Sequence, residues 1–195
     1  MLKSVTLLFI FAFLSLASIS QINAQAEKEC RVTSGLGFAG ARKNTKSVGQ
    51  YIWLQLDYKL SKNISFATEF ENMTYQLQGY YTATPPGLDE IKSVDNNFSL
   101  LFKYHFRTDS QLKIAFGSGW TYTIRTSEYY NYEINGTTER WFRVVQSIDN
   151  YQIPLLLELE YPLWKNINAH ARAKYNLNRQ NGSTYSSGIG LSLKL

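Results

Sequence analysis

Between residues 184 and 195 the chain alternates, almost without a break, between large apolar side chains (Tyr185, Ile189, Leu191, Leu193, Leu195) and small or polar ones (Thr184, Ser186, Gly188, Gly190, Ser192, Lys194). Successive side chains of an extended strand point to opposite faces, so this run is a strand with one apolar and one polar side. Seven earlier stretches share the pattern: residues 32–41, 51–60, 64 to about 75, 98–106, 112 to about 126, 151–161 and 167–177, with the last strand at 185–195. Strands of roughly 9 to 12 residues suit a tilted crossing of a bilayer. The expected fold is all-β: an eight-stranded antiparallel up-and-down transmembrane β-barrel.

Composition agrees with strands and argues against membrane helices. Aromatic residues make up 15% of the chain, with 14 Tyr and only 4 Pro, and the mean hydropathy is −0.27. A helical membrane protein cannot be that polar, whereas a barrel needs an apolar side chain only at every second strand position. The connections fall into two kinds. Those after the second, fourth and sixth strands are short (61–62, 107–110, 162–166), and those after the first, third and fifth are long, the longest spanning 127–150. An even strand number puts both ends of the barrel and all the short turns on one side, as in barrels with periplasmic turns and extracellular loops.

The N-terminal stretch carries Lys3, an apolar run from Leu7 to Ala17 and the A-x-A triplet Ala24-Gln25-Ala26. This pattern predicts a Sec-dependent signal peptide over 1–26, cleaved after Ala24 or Ala26, with 27–195 as the barrel domain. The apolar run is too short to cross a membrane as a helix. The formal charge of +5 drops to about +4 without Lys3 and is scattered, so nucleic acid is not an expected partner. Cys30 is the single cysteine, which excludes an intrachain disulfide.

Alternation alone leaves open which face is the inside. A soluble, secreted lipocalin-like ligand carrier is also an eight-stranded barrel of this size, with its apolar face lining a pocket. Against it stand the missing Gly-x-Trp near the mature start, the missing cysteine pair and the glycines on the polar face (Gly35, Gly37, Gly117, Gly119, Gly188, Gly190). A solvent face has no steric need for glycine, while a narrow lumen must offset bulky inward groups with small ones.

The polar face also carries both signs of charge: Asp57, Glu69, Glu71, Glu158 and Glu160 against Lys103, Lys113, Arg125, His170, Arg172 and Lys174, with Lys59 and Lys194 on the same face. A hairpin register across residues 162–166 brings Glu158 near His170 and Arg172. Enclosed ions must pair, so this network is expected to fill the lumen. A wide pore needs about sixteen strands, which leaves at most a narrow passage for small solutes or ions. Tyr58, Tyr104, Phe106, Tyr161 and Trp164 cluster at one end of the strands. Trp120, Tyr122, Tyr151 and Tyr185 lie towards the other. Amphipathic rings at two depths predict two aromatic girdles in contact with outer-membrane lipids.

The signal peptide, the turn and loop asymmetry and the ending Gly190-Leu191-Ser192-Leu193-Lys194-Leu195 resemble the OmpA/OmpX-type eight-stranded outer-membrane barrels over essentially the whole mature region. That resemblance implies the outer membrane of a Gram-negative bacterium and handling by the barrel-assembly machinery, whose C-terminal signal usually ends in Phe where this chain has Leu195. It leaves function open, since such families include adhesins, cell-wall tethers, small-ligand passages and a few lipid-modifying enzymes. His105 is followed at the second position by Arg107, and His170 by Arg172, so neither forms the His-x-Ser pair of the lipid A deacylases. No enzyme activity, catalytic residue, cofactor or metal site is therefore expected. The loops are richer. Tyr80 and Tyr81 in the 78–91 connection, and Tyr129, Tyr130, Tyr132 and Trp141 in the 127–150 connection, are candidates for recognising an extracellular ligand. The expected role is structural or surface-interacting, around a plugged polar lumen.

Overall fold

A computed structural model describes residues 29–41, 45–78, 90–106, 111–135, 138–178 and 182–195. The segments 1–26, 79–89 and 107–110 lie outside the described residues, and with them the signal peptide, Tyr80, Tyr81 and one of the short turns.

Eight strands form the fold: β1 (Cys30–Ala41), β2 (Thr45–Lys59), β3 (Ile64–Gln78), β4 (Glu90–Phe106), β5 (Lys113–Asn135), β6 (Thr138–Pro162), β7 (Ile167–Leu177) and β8 (Thr184–Lys194). Each pairs antiparallel with its neighbour in sequence, and β8 returns to β1 from Arg31↔Lys194 to Ala41↔Thr184, so the sheet closes on itself with no edge at that seam. The described short turns are tight. Leu60 and Ser61 both donate backbone bonds to the Ile64 carbonyl, and Leu163 and Trp164 do the same to Ile167.

The pleat sorts side chains as the alternation predicts. Ile189, Leu36 and Trp120 expose 69%, 66% and 66% of their surface, while Glu71, Asp95 and Asn97 expose 0%. A soluble monomer does not arrange itself this way, because apolar surface in water and enclosed carboxylates both cost free energy. Hydrocarbon outside and a polar inside remove both costs. The lipocalin-like alternative requires the reverse arrangement and is overturned.

Two features depart from the expected layout. The interior is not wholly polar: Ala67, Leu101 and Leu156 form one buried apolar cluster, and Tyr51, Trp53, Met73 and Tyr75 belong to another. Glycine makes room for the largest of these. A Cβ at Gly35 would overlap the Trp53 indole, and one at Gly188 would lie 2.7 Å from the same ring.

The second departure is larger. The expected loop at 127–150 is a continuation of β5 and β6, which run for 23 and 25 residues and stay in register from Lys113↔Glu160 to Asn135↔Thr138. Tyr129, Tyr130, Tyr132 and Trp141 therefore sit on strands, with Tyr132 opposite Trp141. The physical reason lies in β-prone Tyr, Ile, Val and Trp flanking Asn135-Gly136, a strong hairpin signal. Neighbouring β7 and β8 have only 11 residues each. The β6–β7 ladder ends at Ile153↔Leu177, so the β5–β6 hairpin projects roughly 45 Å of strand past it at ~3.3 Å per residue.

Candidate functional site in the barrel lumen

The lumen is built from the inward positions of all eight strands, and its ion pairs stack in levels. At the end that carries the short turns, Arg31 of β1 bonds Glu160 of β6 and Glu29, the latter at 2.7 Å. Lys59 and Lys194 each lie 3.3 Å from Glu29, and Lys113 lies 3.4 Å from Glu160. Partial burial would raise the Glu29 carboxyl, but the hydrogen bond and charge of Arg31, with the charge of Lys59, hold it at about 2.

One level up, Lys103 of β4 joins Asp57 of β2 to Glu158 of β6, the second at 2.7 Å, and His170 Nε2 stands 3.6 Å from Glu158. A cavity of about 10 Å³ opens beside these groups, close to the room one water needs.

The middle level holds Glu69 and Glu71 of β3 against Arg172 and Lys174 of β7, and all four side chains expose 0%. Arg172 bonds Glu69 and lies 3.2 Å from Glu71; Lys174 bonds Glu69, Glu71 at 2.8 Å and the Ser99 hydroxyl at 2.9 Å. The Arg172 guanidinium also stands 5.1 Å from the Trp53 ring centroid, a cation–π contact, and Trp53 stacks on Tyr51 at 4.9 Å. A chain of amides and hydroxyls continues upward: Asn97 donates to Glu71, Thr123 to Asn97 and Gln152 to Thr123. At the top, Arg125 grips Asp95 through two bonds of 2.8 Å, and Tyr75 donates to the same carboxylate at 2.9 Å.

Ten of the eleven expected network residues are buried inside, and Lys113 is the exception. Its side chain is 54% exposed at the mouth because it opens β5, below the level at which the barrel encloses its contents. Partner choice also differs from the hairpin expectation. Glu158 and Arg172 are cross-strand neighbours, yet the guanidinium reaches across the lumen to β3 while Glu158 turns to Lys103. Sequence reasoning missed Arg31, Asp95, Trp53 and Tyr75. Asp95 fell in a stretch read as loop, although its alternation with Ser93, Asn97 and Ser99 was a usable signal.

Outside, Tyr104, Phe106, Tyr161 and Trp164 are exposed near the short-turn end, with Tyr58 half-buried among them. Trp120, Tyr151 and Tyr185 are exposed higher up; Tyr122 packs on Tyr151 at 5.3 Å and donates to Asp149. Because β5 and β6 continue, Trp120, Tyr122 and Tyr151 occupy mid-strand positions and not strand ends. Ser65 and His105 Nε2 pair at 2.7 Å, a contact between β3 and β4 that the spacing of histidines and serines did not reveal.

A family model described as the outer membrane protein β-barrel domain matches residues 9–194. The chain belongs to that family. Its place is the outer membrane of a Gram-negative bacterium, with the apolar wall of this outer-membrane barrel in lipid and the short-turn end in the periplasm.

Solved structures of similar fold include three outer-membrane proteins. Ail, the attachment invasion locus protein of Yersinia pestis, here in complex with the heparin analogue sucrose octasulfate, is 11% identical with a TM-score of 0.58, covering 87% of this chain and 99% of Ail. OprG from Pseudomonas aeruginosa is 12% identical with a TM-score of 0.56, covering 89% of this chain and 99% of its own. Neisserial surface protein A is 15% identical with a TM-score of 0.54, covering 86% and 97%. Among curated proteins none matches this outer-membrane barrel significantly.

Proposed function

We propose that the protein is a surface-interaction protein: a rigid barrel, closed to solutes by its own ion pairs, that holds the β5–β6 hairpin out from the cell. The observation that carries this reading is the unequal strand length. Above Ile153 no described residue of β7 pairs with β6, and beyond the bond that Asn178 donates to Asn150, residues 138–149 present an open strand edge among the described residues. Val145 and Phe142 are exposed there at 56% and 42%. An open edge with apolar side chains is a surface that invites a partner.

The test shortens the hairpin without disturbing its register. Tyr129 and Val144 are cross-strand partners, so replacing residues 130–143 with Asn-Gly joins them through a two-residue turn. Adhesion of expressing cells to protein-coated surfaces should fall to the level of cells lacking the protein, while the heat-dependent gel shift of the folded barrel is retained. Full adhesion by the shortened variant refutes the reading.

Closure of the lumen is supported by the zero exposure of Glu69, Glu71, Arg172 and Lys174. Liposomes containing the protein should swell no faster in small sugars than empty liposomes, and rapid swelling would favour the passage reading.

A further inference from the structure

We infer that the periplasmic mouth is a binding site for phosphate-class anions, carried on a free solute or on a phospholipid headgroup. A cavity of about 790 Å³ opens there, within the size range of small-ligand sites. Its apolar margin is Phe106, Leu163 and Trp164, and its charged wall includes Arg31, Lys59 and Lys113.

The charge balance at the mouth is uneven. Glu29 and Glu160 are the carboxylates there that bond rim cations, and they face Arg31, Lys59, Lys113 and Lys194, with Lys62 adding a fifth cation on the cavity wall. Asp57 also borders the cavity but is engaged by Lys103. Lys59, Lys113 and Lys194 each spend one of three ammonium donors on a carboxylate, so most of the donor capacity of the rim is open to a ligand. Arg31 adds a buried Nε that has no hydrogen-bond partner among the described residues. The side chains of Lys59, Lys113 and Lys194 are 35%, 54% and 48% exposed, leaving their ends able to close on a ligand.

The ring already holds an anion of the protein's own. Glu29 sits between Arg31, Lys59 and Lys194, and Arg31 and Lys59 hold its carboxyl well below the usual carboxylate range. Glu29 offers a single oxygen, Oε2, to both Lys59 and Lys194, whereas a tetrahedral phosphate brings further non-bridging oxygens pointing in other directions for the remaining donors, so phosphate fits the surplus better than a second carboxylate. Trp164, 78% exposed beside the cavity, suits the glycerol and first methylenes of a lipid if the phosphate is a headgroup.

The experiment uses the protein folded in octyl glucoside, which contains no phosphate. It is titrated at constant ionic strength with inorganic phosphate and, separately, with dihexanoyl phosphatidylglycerol, following tryptophan fluorescence and heat. Saturable binding of either probe is expected. Saturation by inorganic phosphate assigns the site to a soluble anion, and saturation by the lipid alone assigns it to a headgroup. The combined variant Lys59→Gln, Lys113→Gln, Lys194→Gln should weaken Kd at least tenfold, and Glu29→Gln should tighten it several-fold by removing the competing carboxylate. If the triple variant lacks the heat-dependent gel shift, Lys113→Gln alone carries the test, with about threefold weakening expected. No saturation by either probe, wild-type affinity in the lysine variant, or unchanged or weaker binding by Glu29→Gln overturns the inference.

Discussion

Replacing Lys174 with Met keeps the volume of the side chain and deletes its charge. In the native lumen Glu69 and Glu71 face Arg172 and Lys174, all with no exposed side-chain surface, and the charges cancel. The variant leaves two carboxylates against one guanidinium and strips the Ser99 hydroxyl of its donor. An uncompensated buried charge costs about 3–5 kcal/mol. With a urea dependence of about 1–3 kcal/mol per molar, the unfolding midpoint should fall by on the order of 2 M. Urea titration of the protein in lipid vesicles, read by tryptophan fluorescence and by the gel shift, measures it. Adding Glu69→Gln restores a balanced pair, so the double variant should be less destabilised than the sum of the two single ones by about 1–2 kcal/mol. Lys113→Met is the control: its partner Glu160 is shared with Arg31 and its side chain is 54% exposed, so its loss should cost about 0–1 kcal/mol. If Lys174→Met unfolds within about 1 kcal/mol of wild type, the lumen is hydrated and the enclosed-charge argument fails.

Gly188→Ala should fold poorly and lose the heat-dependent gel shift, because the new Cβ would lie 2.6 Å from the Leu36 carbonyl oxygen and 2.7 Å from the Trp53 ring. Trp53→Leu in the same chain should not restore it, since the backbone contact remains. Glu29 gives a pH signature. Its folded-state pKa of about 2 lies below the ordinary 4.5, so its stabilisation is complete above 4.5 and is lost as pH falls towards 2. Between pH 6 and pH 3 the urea midpoint of the wild type should therefore fall further than that of Glu29→Gln, and equal falls would refute the assignment.

Much of the barrel was legible because one physical rule, alternation between lipid and lumen, acts at every position. The ends of β7 at Ile167 and Leu177 follow from it directly, as does the inward placement of Glu69, Glu71, Arg172 and Lys174. The rule falls silent beyond the bilayer. There both faces of β6 meet water, as the adjacent exposed Phe142 and Arg143 show, the apolar contrast fades, and Tyr129 to Asn135 reads as loop composition although the backbone pairs throughout. Partner choice in the lumen was hidden for a different reason. Which cation meets which carboxylate depends on how far the sheet staggers when it closes, and no local register brings Arg172 to Glu69 across the interior.

The bonds between β3 and β7 also constrain how the protein is made. Glu69 and Glu71 have no cation of their own on β3 or on adjacent β2 and β4 within bonding reach among the described residues, and their counter-charges arrive only with β7. An open, partly assembled sheet entering the bilayer would drag naked carboxylates towards hydrocarbon. Insertion is thus favourable only once the last hairpin has docked, which makes sealing the cylinder and entering the membrane a single concerted event.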